Sequence, residues 1–126
     1  MKKMFLLFSH SLTSNQIADA QDSLGVQEFV TLPQELQALW SNIPSDLETL
    51  SEYLAALKSY LRSSVERDDY ILIQGDFGGV YEMVNFSKAL GAIPVHSTTK
   101  REVDECMIHN KVKKTSTFEH VIYRRY

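Results

Sequence analysis

The chain has 126 residues, a formal net charge of −3, and a composition that is 44% hydrophobic and 23% charged. That is the size of one domain with a real core, small for an enzyme that encloses its substrate alone, and the balance is that of an ordinary globular protein. The negative charge speaks against broad binding of long nucleic acid, which wants a basic surface; a local basic pocket stays open, because Lys100-Arg101, Lys111-Val112-Lys113-Lys114 and Arg124-Arg125 gather positive charge late in the chain.

The first predicted element is a buried strand over Phe5–Phe8. Although Lys2-Lys3 precede it, the apolar run is too short for a signal peptide and meets Ser9-His10 at once. Thr13-Ser14-Asn15-Gln16 fits a capping box. Ile17, Ala20 and Leu24 then mark one helical face, and Gly25 is the expected terminator. A short strand follows at Glu28–Thr31, and Pro33 opens a brief helix carrying Leu36, Leu39 and Trp40. Ser45-Asp46-Leu47-Glu48 reads as a second capping box. Leu47, Leu50, Leu54, Leu57, Leu61 and Val65, spaced by three and four, predict a core-facing helix from there to Arg67.

A third strand, Tyr70–Gln74, runs into Gly75-Asp76-Phe77-Gly78-Gly79. A helix leaves it and ends at Gly91. Ile93–His96 is the fourth strand, and Arg101–Ile108 with Val112–Tyr126 predicts a terminal β-hairpin joined near His109-Asn110-Lys111. Short apolar strands alternating with helices define an α/β sandwich of one domain, 1–126, with a mostly parallel sheet. No segment is long enough to span a membrane. The single cysteine, Cys106, cannot form an internal disulfide, which fits a reducing cytoplasm; it reads as a packed or incidental thiol.

Three of these strands stop at polar clusters, and in parallel sheets ligands bind beyond the carboxyl ends of the strands. Ser9 and His10 follow the first strand, with no acidic residue nearby in sequence to complete a nucleophilic triad. Gln74-Gly75-Asp76-Phe77-Gly78 follows the third. Glycine there lets backbone amides approach a phosphate or base, and Asp76 would accept from a base or ribose; the alternative is a tight turn with Asp76 as helix cap. Thr98-Thr99-Lys100-Arg101, read as a loop, offers two hydroxyls, an ammonium and a guanidinium to an anion. The four histidines show no metal-ligand spacing, so neither a metal nor another cofactor is expected.

Phe5-Leu6-Leu7-Phe8-Ser9-His10 with Leu12-Thr13 and Gln16, Leu72-Ile73-Gln74-Gly75-Asp76-Phe77-Gly78, Ser97-Thr98-Thr99-Lys100-Arg101, and the closing Phe118, His120-Val121, Arg124 and Tyr126 resemble, in order and spacing, a small CRISPR-associated protein of type III systems, the Csx-twenty group. The resemblance implies a Rossmann-like three-layer fold related to the domains that sense cyclic oligoadenylate, and a homodimer. It also implies ring-nuclease activity: cleavage of cyclic tetra-adenylate to linear products with 2′,3′-cyclic phosphate ends, which switches off type III antiviral signalling.

On that implication Lys100 and Arg101 stabilise developing charge, His10 moves a proton, and Ser9, Thr98 and Thr99 orient phosphate. Gln74 and Asp76 read ribose or adenine, with Thr13, Gly75, Phe77 and Gly78 completing the substrate contacts. The chemistry needs no metal, though Asp76 leaves a carboxylate-bound Mn²⁺ or Mg²⁺ open. Two rival readings stand beside it: a module that binds the cyclic nucleotide without cutting it, as sponge or sensor, and an interaction subunit whose strand-end loops meet a protein partner.

Overall fold

The computed structural model describes the backbone of residues 1–126 and all side chains except those at 104, 106, 108 and 113–116. The Cys106 thiol and the Lys113-Lys114 pair therefore lie outside the described side chains. The elements are β1 (Lys3–Leu7), α1 (Ser14–Leu24), β2 (Glu28–Thr31), α2 (Gln34–Ser41), α3 (Ala55–Ser64), β3 (Tyr70–Ile73), α4 (Phe77–Ala89), β4 (Ile93–Ile108) and β5 (Lys111–Arg125).

They form one sheet in the order β2-β1-β3-β4-β5. The first four strands pair in parallel, with Phe5 beside Val30 and Ile71, and Leu72 beside Val95; β5 returns antiparallel to β4. This is the doubly wound order of flavodoxin-like sheets, with its switch point between β1 and β3.

Burial explains the strand sequences. All four residues of β3 are buried, because helices lie over both faces, and a strand covered twice has no polar position. Phe5, Leu7, Ile71 and Ile73 pack against Trp40, Leu54, Leu57, Leu61 and Met83 from α2, α4 and the α3 region. Met4, Leu6, Tyr70, Leu72 and Val95 meet Ala20 and Val26 on the α1 side, with Tyr123 of β5. Each such side chain contributes roughly 1.5–3 kcal/mol relative to exposure.

The local signals for α1 hold in full. The Thr13 hydroxyl accepts from Gln16 N, the Gln16 side chain accepts from Thr13 N, and Gly25 closes the helix at φ 69°. Two expectations need correction. The helix expected from Ser45 begins only at Ala55; the preceding segment runs in turns, and Leu47 is exposed. There the Ser51 hydroxyl donates to Glu82 of α4 at 2.7 Å, an outside partner for a side chain the periodicity assigned to a helix. Leu54, Leu57 and Leu61 remain the buried stripe.

The second correction concerns residues 97–100, expected as a loop between a strand ending at His96 and a hairpin beginning at Arg101. They are strand: β4 continues unbroken to Ile108, because β5 supplies the pairing that β3 ceases to give after Val95. A β-bulge between Ser97 and Thr99 marks the change of partner. His109 and Asn110, both at positive φ, make the two-residue turn whose twist suits a hairpin. No helix among the described residues is long and apolar enough to cross a membrane.

Candidate functional site

Because β1, β3 and the first part of β4 run parallel, Ser9, Gln74 and Thr98 all emerge at the same, carboxyl edge of the sheet. A cleft of about 730 Å³ opens there beside β1, between the start of α1 and α2. Phe8, Leu12, Ile17, Phe29 and Leu32 give it apolar walls; Ser9, His10, Gln37 and Ser41 supply polar groups. Ser9 Oγ lies 2.9 Å from Ser41 Oγ, and Gln37 Nε2 donates both to Phe8 O and to Ser41 Oγ. His10 is exposed, edge-on to the Phe8 ring at 5.5 Å. The Thr13 hydroxyl is occupied as the cap of α1.

The glycine turn after β3 is built around Trp40. Its indole N–H donates to Gln74 O at 3.2 Å. A Cβ on Gly75, which sits at φ 155°, would stand 3.3 Å from the ring. One on Gly79 would meet Ile43 at 2.6 Å and the Trp40 ring at 3.2 Å. These glycines admit an indole from below, where the sequence suggested a phosphate approaching from above. Asp76 is the cap of α4, its Oδ2 accepting from Gly79 N at 2.9 Å, so one amide of the helix start is already taken. Phe77, by contrast, is 95% exposed at the head of α4, with Tyr81 exposed one turn on.

Thr98, Thr99, Lys100 and Arg101 do not form one anion-binding loop. On a strand, consecutive side chains point to opposite faces, so Lys100 and Arg101 of one chain cannot grip the same phosphate. The Thr98 hydroxyl is committed too: it accepts from Ile122 N and donates to Ile122 O, both at 3.1 Å, across the bulge. Lys100 Nζ lies 3.8 Å from Glu102 Oε1, an exposed pair worth little to stability. Gln74 links this segment to β3 by accepting from Ser97 N at 2.8 Å.

One polar cluster escaped the sequence reading. His120 lies between Ser97 Oγ, 2.6 Å from Nδ1, and Asp19 Oδ2, 2.7 Å from Nε2. Ser23 donates to Asp19 at 2.6 Å, Gln16 Nε2 reaches Ser97 Oγ at 3.4 Å, and the Tyr123 hydroxyl donates to Gln16 O. The groups are those of a serine–histidine–aspartate relay, but Ser97 is 6% exposed and the His120 side chain 2%. No substrate atom reaches that hydroxyl, so the cluster is a strut holding α1 to the bulge and β5.

The electrostatics agree with a strut. The Ser23 hydrogen bond, aided by His120 and opposed by burial, holds Asp19 below its usual value. Burial, with Asp19 adding, pushes the Tyr123 phenol up to about 12. Burial and the nearby Arg124 lower His96 on β4, whose ring lies 4.8 Å from Tyr126. With Asp19 and His120 separated by 101 residues, no local spacing could have shown the cluster. Among the described residues no three His, Cys, Asp or Glu side chains come together as a metal site.

An α/β domain with a mostly parallel sheet, a closing antiparallel hairpin and a strand-end cleft is the class these features define. The chain belongs to the family described as the uncharacterized protein MJ1673 family, whose model matches residues 2–124. It is 48% identical over 126 residues to the uncharacterized protein MJ1673 of Methanocaldococcus jannaschii, covering 100% of this chain and 98% of that one. No solved structure matches it.

Proposed function

We propose that the protein is a cytoplasmic ring nuclease that cleaves cyclic tetra-adenylate, ending type III CRISPR signalling. The observation that carries this reading is the position of Ser9 and His10, at the carboxyl end of β1, in the cleft beside the switch point. A doubly wound sheet binds its ligands there, and the apolar walls suit a nucleobase while the hydroxyls suit phosphate. Kinship with cyclic-oligoadenylate-sensing domains is part of the same proposal.

In the proposed reaction a ribose 2′-oxygen attacks the adjacent phosphorus. The bond to the 5′-oxygen breaks, leaving a 2′,3′-cyclic phosphate and a 5′-hydroxyl. His10 takes the 2′-proton or returns one to the leaving oxygen, and Ser9 orients the phosphate. A ring of four nucleotides exceeds one cleft, so two copies share it about a two-fold axis. Lys100 and Arg101 then reach it from the pair of subunits and supply charge stabilisation.

Retention without cleavage is the second reading. It is favoured by His10 being exposed with, among the described residues, only the Phe8 ring against it, whereas a general base is commonly oriented by a further group. Purified protein incubated with cyclic tetra-adenylate, with and without EDTA, decides the matter. Linear product in both conditions supports the nuclease, tight binding alone supports a sponge or sensor, and the absence of both product and binding overturns both readings.

A further inference from the structure

Positive charge is missing from a long stretch of the chain: residues 4–57 hold seven Asp and Glu and no Lys or Arg. Such asymmetry along a sequence points to a partner of opposite charge. The last of these acids, Asp46, Glu48 and Glu52, lie in the turns between α2 and α3. There a groove of about 520 Å³ runs between the turns and the first half of α4, and it shares no lining residue with the cleft beside β1. Ile43, Leu47 and Tyr81 give it apolar walls; Glu48, Asp76 and Glu82 are its charged groups, with no lysine or arginine among them. Leu47 is 44% exposed, Tyr81 73%, and Phe77, one turn before Tyr81 on α4, is barer still. Residues four apart on a helix are neighbours, so the two aromatic rings form one bare patch.

Elsewhere in the protein aromatic rings have cations over them: Lys2 over Tyr70, Lys3 over Phe5, and both Lys58 and Arg62 over Phe86, at 5.2 to 5.8 Å. Among the described residues no cation stands over Phe77 or Tyr81, and their neighbours in the chain are the carboxylates of Asp76 and Glu82. We infer that this groove docks a basic, apolar segment of another protein. An arginine or lysine of the partner enters beside Tyr81, against Glu48 and Asp76, and an adjacent apolar side chain covers Leu47. A guanidinium suits such a place, because it stacks on an aromatic face and donates to carboxylates at once.

The walls of the groove are fixed before a partner arrives. Ser51 holds Glu82 at 2.7 Å, and the Tyr53 hydroxyl donates to Leu39 O at 2.6 Å, so the turns keep their place against α2 and α4 and leave Leu47 in water. Glu82 is engaged by Ser51 and by Lys58 at 3.4 Å, whereas Asp76 uses one oxygen, Oδ2, to cap α4. Glu48 and Asp76 Oδ1 are therefore the carboxylate groups available to an incoming cation, and a polyanion is repelled. An exposed apolar patch rimmed by polar groups is the mark of an interaction surface. Docking here requires nothing of Ser9 or His10, and holds whether or not the protein cleaves a nucleotide.

Calorimetric titration of the full chain tests the docking with three synthetic peptides of about ten residues, the length of a short recognition segment. One alternates arginine with leucine, one glutamate with leucine, and one arginine with glycine. The arginine–leucine peptide should bind at micromolar concentration, more weakly as salt rises, and at least about tenfold more tightly than either of the others. Tyr81→Ala and Glu48→Lys change exposed side chains, so the melting temperature should hold while each weakens that binding at least about tenfold. Glu48→Lys should in turn bind the glutamate–leucine peptide better than wild type does. Absence of binding, equal binding of the arginine–glycine peptide, or binding that is indifferent to either variant would overturn the inference.

Discussion

The Ser97 hydroxyl and the His120 imidazole stand 2.6 Å apart across the β4–β5 bulge, both shielded from water. Removing the ring leaves Ser97 and Asp19 without their shared partner. His120→Ala should therefore cost about 1–3 kcal/mol, lowering the melting temperature by roughly 5–10 °C. An unchanged melting curve would show that the strut carries no weight.

The same cluster sets an acid limit. The Ser23 hydrogen bond depresses Asp19 below its usual 3.8 in the folded state. A carboxylate with a depressed folded pKa stabilises the fold above its unfolded value, and that contribution drains away as pH falls through the folded value. Ser23→Ala should thus be less stable than wild type at neutral pH, and the gap should close below about pH 4. Urea titrations of both proteins from pH 7 to pH 3 check the sign.

Two neighbouring glycines should respond in opposite directions. Gly79→Ala places a methyl 2.6 Å from Ile43 and 3.2 Å from Trp40, overpacking worth about 1–3 kcal/mol of destabilisation. At Gly78 the nearest atoms lie 3.4 Å away, ordinary contact, and alanine in a helix gains roughly 0.5–1 kcal/mol over glycine. Denaturant midpoints of the two variants should fall on either side of wild type.

Under the nuclease proposal, exposed His10 can be removed without harm to the fold. His10→Ala should slow cleavage about a hundredfold to ten-thousandfold while leaving the melting temperature within a degree or so. Lys100→Ala and Arg101→Ala should each lower cleavage about a hundredfold or more, the two side chains reaching the ligand from different subunits. Single-turnover rates on cyclic tetra-adenylate give the comparison.

Trp40 is the chain's only tryptophan, and it is buried beneath the turn that follows β3. Its native emission should lie well to the blue of free indole. A ligand that seats against Gln74–Asp76 should shift that emission with saturation, and more than one confined to the β1 side, where α2 presents Gln37, Ala38 and Ser41. Fluorescence titration therefore locates binding without a mutation.

What was legible in the sequence was whatever depends on near neighbours. The Thr13 capping box, the Gly25 stop, the continuously apolar β3 and the His109-Asn110 turn each declare themselves within a few residues. The leucine repeat from Leu47 misled because the contacts of Ser51 to α4 and of Leu47 to water are tertiary matters that periodicity cannot register. Likewise Thr98–Lys100 looked like a loop because its residues are polar, and only the return of β5 makes them strand. At the site, placing Ser9 and His10 needed only the rule of strand ends, whereas the indole under Gly75 and the Asp19–His120 contact required the fold itself.

β4 belongs to two structures without a break: Ile93–Val95 are wedged into the parallel sheet, and the rest of the strand is a free spar. The bulge at Ser97–Thr99 is the fulcrum between them. A tilt of about 5° there swings the tip of a spar ~30 Å long by roughly 3 Å, and the same rotation is delivered, at short radius, to Gln74 through its bond to Ser97 N. The carboxyl edge of β3 and the root of the hairpin are thus tied to each other through the Gln74 side chain.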